Sequence, residues 1–324
     1  MSRRLLAALI AAITLASTQP ALARPPAIGV VRTLVDLATA DCHNPEGIAV
    51  APDGTLYAAG FSGNICVVTP EGAVTRVIPV APGPGAVTNF LGDLFEPSQG
   101  LYVTDIADFG ASAAGRVLLV DPATGDARTL AGGFLAPNAI AQDRHRNLYV
   151  SDSFAGAIYK VDPEAGGKKL WIQDARLTTK GMPPFGANGV AFDRNERFLY
   201  VSNTGDSVIL RIAVNRDGTA GALEVFAKGA TAADPQLLHG ADGIAFDVKG
   251  RLWVCANQAN EIQVLSPDGT LVARYSGAGA DAMDFPASLV FHERSLYVTN
   301  LAFGHFGGKI SVLRVPFPGA PLRP

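Results

Sequence analysis

Apolar and polar positions alternate along most of this chain, and the alternation returns with a long period. Six segments share one form, an apolar run, a polar turn, then Leu-Tyr or Leu-Trp opening a second alternating run. They are GIAVAPDGTLYAAG, LGDLFEPSQGLYVTD, AIAQDRHRNLYVSD, GVAFDRNERFLYVSN, GIAFDVKGRLWVCAN and SLVFHERSLYVTN. Tyr57, Tyr102, Tyr149, Tyr200, Trp253 and Tyr297 mark them, 44 to 53 residues apart. Period-two alternation is the mark of strands with one buried face, and this spacing suits four strands and their connections in one blade of a radial sheet array. Two more β-rich runs follow each aromatic strand, as in NICVV and VTRVIPV, so each repeat supplies four strands. Asp53-Gly54 and Asp268-Gly269 provide the chemistry of tight hairpin turns. The pattern predicts an all-β, six-bladed β-propeller with four-stranded blades. A pair of smaller β-domains is the rival, but no Gly-, Ser- or Pro-rich linker breaks the period.

Counting strands predicts how the ring closes. The last repeat ends at GKISVLRVP with three strands, ahead of the tail FPGAPLRP, while a β-rich run, IGVVRTLVDLA, stands unassigned near the N-terminus. Val30 to Leu37 are therefore expected to form the outer strand of the final blade.

Composition fits this picture. Of 324 residues 48% are hydrophobic and 17% charged, enough to bury a large core. The net charge is -3 with no basic run beyond the N-terminus, which argues against nucleic acid as a partner. Arg3 and Arg4, the apolar stretch from Leu5 to Ala16, and Ala21-Leu22-Ala23 read as an export signal over residues 1–23, leaving one propeller domain over 24–324. That stretch falls short of the ~20 residues a membrane helix needs, so a periplasmic or extracellular protein with no membrane attachment is expected. Cys42, Cys66 and Cys255 form no Cys-x-x-Cys zinc pattern. Cys66 lies in a strand-like run where a small buried thiol is an adequate explanation, so no disulfide is predicted.

Differences between equivalent positions carry the chemistry. Just before the first strand in four repeats stand Glu46, Asn138, Asn188 and Asp242, in PEGIAV, APNAIAQD, GANGVAFD and GADGIAFD. Innermost strands line a propeller's channel, so these side chains should converge on one mouth. Crowded carboxylates must take up a proton or hold a cation. An all-oxygen set suits a hard divalent ion; calcium is expected first, with Mg2+, Mn2+ or Zn2+ as alternatives. The bland alternative is that Asn-Gly and Asp-Gly merely cap turns.

In these four motifs the sequence resembles the six-bladed propellers of the regucalcin/gluconolactonase family, over nearly the whole mature chain; paraoxonases and calcium-dependent organophosphate hydrolases are similar in architecture. The resemblance implies metal ligation by Glu46, Asn138, Asn188 and Asp242. Where the family often carries Arg two residues before the blade-three Asn and a polar residue after it, this chain has Ala136 and Ala139. Glu46-Gly47-Ile48 likewise stands where Glu-Gly-Pro is usual. The implied activity is metal-assisted hydrolysis of a small-molecule lactone or ester, with Asp242 as ligand first and general base second. The other reading is a non-catalytic propeller that binds a ligand or protein over a structural metal. His43, His239 and His305 are further candidates for the substrate face. Asp105, Asp152, Asn203, Asn257 and Asn300, each after an aromatic strand, read as turn caps of which only a subset reaches substrate. No Gly-x-Ser-x-Gly elbow points to a serine nucleophile.

Overall fold

The computed structural model describes residues 27–83 and 87–321; the expected leader, residues 1–23, lies outside them. Six four-stranded antiparallel sheets are arranged in sequence order. Their innermost strands are Pro45–Val50, Phe90–Glu96, Pro137–Gln142, Ala187–Phe192, Ala241–Phe246 and Pro286–His292. Each of these packs beside the innermost strand of the next blade, and the sixth returns to the first. The ring is fastened by an N-terminal strand, Val31–Asp36, which pairs antiparallel with Lys309–Arg314 as the outer strand of blade six. Closure leaves each inner edge facing the channel instead of solvent.

The aromatic anchors explain why the blades stack in this order. Tyr57 lies 5.4 Å from Phe95, Tyr149 5.0 Å from Phe192, Tyr200 4.9 Å from Phe246 and Trp253 5.6 Å from Phe291. In each case a second-strand ring meets the first strand of the following blade, so one periodic residue supplies the contact between sheets, worth about 1 kcal/mol beyond its buried area. At the end of the inner strand remote from the site, Asp143, Asp193 and Asp247 accept backbone N–H groups of the turn that follows. No helix among the described residues is long and apolar enough to cross a membrane.

One expectation is corrected. Cys42 and Cys66 are joined by a disulfide, with Cα atoms 6.0 Å apart. The segment after the closing strand folds back over blade one, with Asn64 Nδ2 donating to Asp41 O at 2.8 Å, and so lays Cys42 against the strand Asn64–Val68. Cys255 remains a buried free thiol. Because the bridge spans 24 residues, the Cys42→Ser variant is expected to lose about 3 kcal/mol of stability, read as a lowered midpoint in urea unfolding.

Candidate active site

Glu46, Asn138, Asn188 and Asp242 are each the second residue of an innermost strand. They lie inside the strands, not ahead of them, and therefore do not cap turns. Each strand's register slips just here, between Pro45/Gly47, Pro137/Ile140, Ala187/Val190 and Ala241/Ile244, and a bulge of this kind re-aims the side chain. In blades one, four and five the glycine that follows serves close packing: a Cβ on Gly189 would stand 2.4 Å from Asp242 O, and one on Gly47 2.3 Å from Leu91 O. All four side chains line one pocket at the channel mouth and are nearly fully buried. At the same register blades two and six present Leu91 and Ala287, which offer no oxygen side chain.

A second tier of polar residues fixes this ring. Ser151, Ser202 and Thr299 each donate a hydroxyl to a main-chain oxygen in the next blade, of Asn188, Asp242 and Glu46 respectively, all at 2.6 Å. Thr104 does the same for Asn138. The amide groups are held as well. Asn138 Nδ2 donates to Ser153 Oγ (3.3 Å) and Asn188 Nδ2 to Thr204 Oγ1 (2.9 Å). With the nitrogen engaged, each amide keeps its oxygen for the pocket.

Two further positions bear on the pocket, one grouped by the sequence with the turn caps and one that it did not single out. Asn257 is not a turn cap: Ala241 pairs with Ala256, as Pro137 does with Asp152, so Asn257 stands one residue beyond that register. It occupies the place of Ser153 and Thr204, donates Nδ2 to Asp242 Oδ2 at 2.8 Å, and leaves its own Oδ1 buried without a partner. The displaced residue is visible in VCAN set against VTD, VSD, VSN and VTN. Asp93 is the second. It lies two residues past the blade-two position and both its carboxylate oxygens are buried and unpartnered. A single acid inside the run FLGDLFE had no counterpart to flag it.

Electrostatics follow from this crowding. Glu46 is held well above the usual carboxylate range by burial and then by the charges of Asp242 and Asp93. Burial likewise raises Asp93. Asp242 is pushed up to about 7 by burial, against hydrogen bonds from Asn257, Asn188 and the Gly243 N–H that favour its ionised form. Three buried carboxyls with too few donors must share protons or a cation. Among the described residues no three His, Cys, Asp or Glu gather in metal-holding geometry, so any ion here depends on the amide oxygens. The donors are oxygen throughout, and the orphaned Asn257 Oδ1 in the lining leaves acceptor capacity to spare. The set fits a hard divalent cation.

The other candidates fall outside the pocket lining. His43 Nδ1 lies 3.0 Å from Asn44 Oδ1 with its ring 4.7 Å from Phe306, and His305 Nε2 lies 3.0 Å from Asp284 Oδ2. His239 has a buried Nδ1 with no partner. Asp105, Asp152, Asn203 and Asn300 hold loops: Asp152 accepts the N–H groups of Leu135 and Ala136, Asp105 those of Asn89 and Ala107. Asn203 donates to Arg176 O and Thr178 O, and Asn300 accepts from Asp284 N–H.

Ring and channel-mouth site together define a six-bladed propeller with an oxygen-lined pocket at one end of its channel. Residues 174–302 match the family model described as SMP-30/Gluconolactonase/LRE-like region, and residues 33–68 that of Strictosidine synthase-like, N-terminal. A 6-deoxy-6-sulfogluconolactonase of Pseudomonas putida is 28% identical over 123 residues, which is 37% of this chain and 40% of that protein. The matched stretch thus spans about two fifths of that relative's length. Among solved structures, a gluconolactonase of Xanthomonas campestris is similar at 21% identity with a TM-score of 0.64, covering 88% of this chain and 89% of its own. A luciferin-regenerating enzyme is similar at 15% identity with a TM-score of 0.66, covering 91% and 98%. At these identities the structural likeness speaks for the fold.

Proposed function

We propose that this protein is a secreted, divalent-cation-dependent hydrolase of lactones or related esters. The observation that carries the reading is the convergence of Glu46, Asn138, Asn188 and Asp242 in one buried pocket, with both carboxyls raised by burial. The family match and the sulfogluconolactonase relative support the reaction class. Export is supported by the Cys42–Cys66 bridge, since disulfides persist in oxidising compartments.

Glu46, Asn138, Asn188 and Asp242 would hold the ion, calcium by the hardness of the donor set. When bound, a divalent cation supplies polarisation of the acyl carbonyl and stabilisation of the oxyanion. The chain's own residues do the rest. The hydroxyls of Ser151, Ser202 and Thr299 fix the backbone of the ring, so the donors are pre-set before substrate arrives. Asp242 accepts a proton from the attacking water as that water's oxygen bonds to the acyl carbon; the acyl carbon–oxygen bond of the substrate then breaks and Asp242 returns the proton to the leaving oxygen, giving a hydroxy acid from a lactone or an acid and an alcohol from an ester. Asn257 tempers that role by hydrogen-bonding the ionised carboxylate.

Calcium titrated by calorimetry into chelator-stripped protein, followed by lactone hydrolysis with and without the ion, tests the proposal; no binding, or turnover indifferent to the ion, overturns it. Asn257→Ala is expected to weaken calcium binding about tenfold, as removal of an outer partner of a ligating carboxylate does, with the thermal midpoint of the metal-free protein little changed.

A further inference from the structure

Above the oxygen ring the pocket changes character. Apart from the ring itself and the two residues that orient it, Thr204 and Asn257, all lining residues are apolar, chiefly Phe61, Leu91, Phe185, Phe285, Leu301 and Phe303. No Lys, Arg or His is among them. Three aromatic pairs drawn from different blades brace this wall: Phe61 with Phe109 at 5.6 Å, Phe154 with Phe185 at 5.2 Å, and Phe285 with Phe303 at 5.1 Å. These rings sit in loops and are not part of the periodic core, and Phe303 and Phe109 remain 50% and 41% exposed. A soluble protein that leaves large rings uncovered around a polar centre has built an apolar receptor.

Ala136 makes the point sharper. It stands where the resemblance implies an arginine, is completely buried, and belongs to a cluster with Leu91 and Ile106 against which Phe61, Phe154 and Phe185 pack. A polyhydroxylated or anionic lactone entering here would give up its water along walls that offer its hydroxyls no partner and its charge no counter-ion. An alkyl chain or aryl ring would gain from the same walls.

We infer that the substrate is an uncharged lactone or ester carrying an alkyl or aromatic group, its carbonyl directed to the oxygen ring and its apolar part lying against the phenylalanines. The inference rests on the hydrolase reading of this site, and its test separates the two. With calcium-loaded full-length protein, kcat/KM is measured for valerolactone, octalactone and dodecalactone beside gluconolactone, and binding of dodecalactone and gluconolactone is measured by calorimetry. Each added CH2 is expected to raise kcat/KM about two- to fourfold until the wall is covered, and gluconolactone is expected to be the poorest substrate. Phe303→Ser, at a half-exposed loop position, is expected to cut the dodecalactone-to-valerolactone ratio about tenfold. Gluconolactone as the best substrate, or a flat dependence on chain length, overturns the inference and leaves the hydrolase standing. Absence of all turnover with dodecalactone still bound more tightly than gluconolactone removes the hydrolase and keeps the apolar receptor, whereas equal or absent binding removes both.

Discussion

Calcium titrated into the Asp242→Ala variant is expected to give no binding isotherm, and lactone hydrolysis is expected to vanish with it. Asp242 is one of two carboxylates in the ring, and it accepts a hydrogen bond from Asn257. Its loss leaves Glu46 and two neutral amides, too little negative charge to strip a divalent cation of its water. The stability of the variant supplies the internal control. In the metal-free protein Glu46 is raised by burial and then by the charge of Asp242; removing Asp242 relieves that repulsion while leaving Asn257 Nδ2 without its acceptor, so the two effects oppose and the variant should melt close to metal-free wild type at neutral pH. What it should lose is the metal's contribution, about 3 kcal/mol at a hundredfold excess of ion over its dissociation constant, read as the calcium-induced rise in melting temperature. A variant that still hydrolyses lactone without bound metal would refute the proposed mechanism.

The fold was legible because a propeller repeats its packing problem in every blade. One aromatic residue per blade meets the first strand of its neighbour, and a shared contact of that kind must recur in the sequence. The closing strand was legible by subtraction, since three strands in blade six demand a fourth. The oxygen ring was legible for the same reason: Glu46, Asn138, Asn188 and Asp242 share a register, and departures from a repeat stand out. What broke the register was missed. Asn257 lies one residue beyond the aligned position because the second strand of blade five reads VCAN in place of VTD or VSN. Asp93, whose charge acts on Glu46, lies two residues past Leu91, where no other blade has an acid. The phenylalanines of the mouth sit in loops of unequal length, where no period can align them. The Cys42–Cys66 bridge depends on the path of the segment after the first strand, and turns alone set that path.

The buried carboxyls give the metal-free protein an unusual response to pH. Most paired carboxylates are held low in a fold, and acid destabilises the protein; Asp174, drawn down to about 2 by the Arg176 side chain, behaves in this way. Glu46, Asp93 and Asp242 are held high, so over intermediate pH the folded state carries more protons than the unfolded chain and stability falls as pH rises. For Asp242, moving from 3.8 to about 7 corresponds to about 4 kcal/mol. That contribution is complete below the unfolded value near 4 and is lost as pH climbs through about 7. In chelator the melting temperature is therefore expected to be highest near pH 5 and to drop by several degrees by about pH 8. Saturating calcium should abolish or invert the slope, because the ion replaces the protons and binds more tightly as they leave. Asp242→Asn should flatten the metal-free profile in part, with Glu46 and Asp93 supplying the remainder. Calorimetric melts across this range, with and without calcium, read both effects; a metal-free melting temperature that rises toward pH 8 would show that the three carboxyls find partners elsewhere.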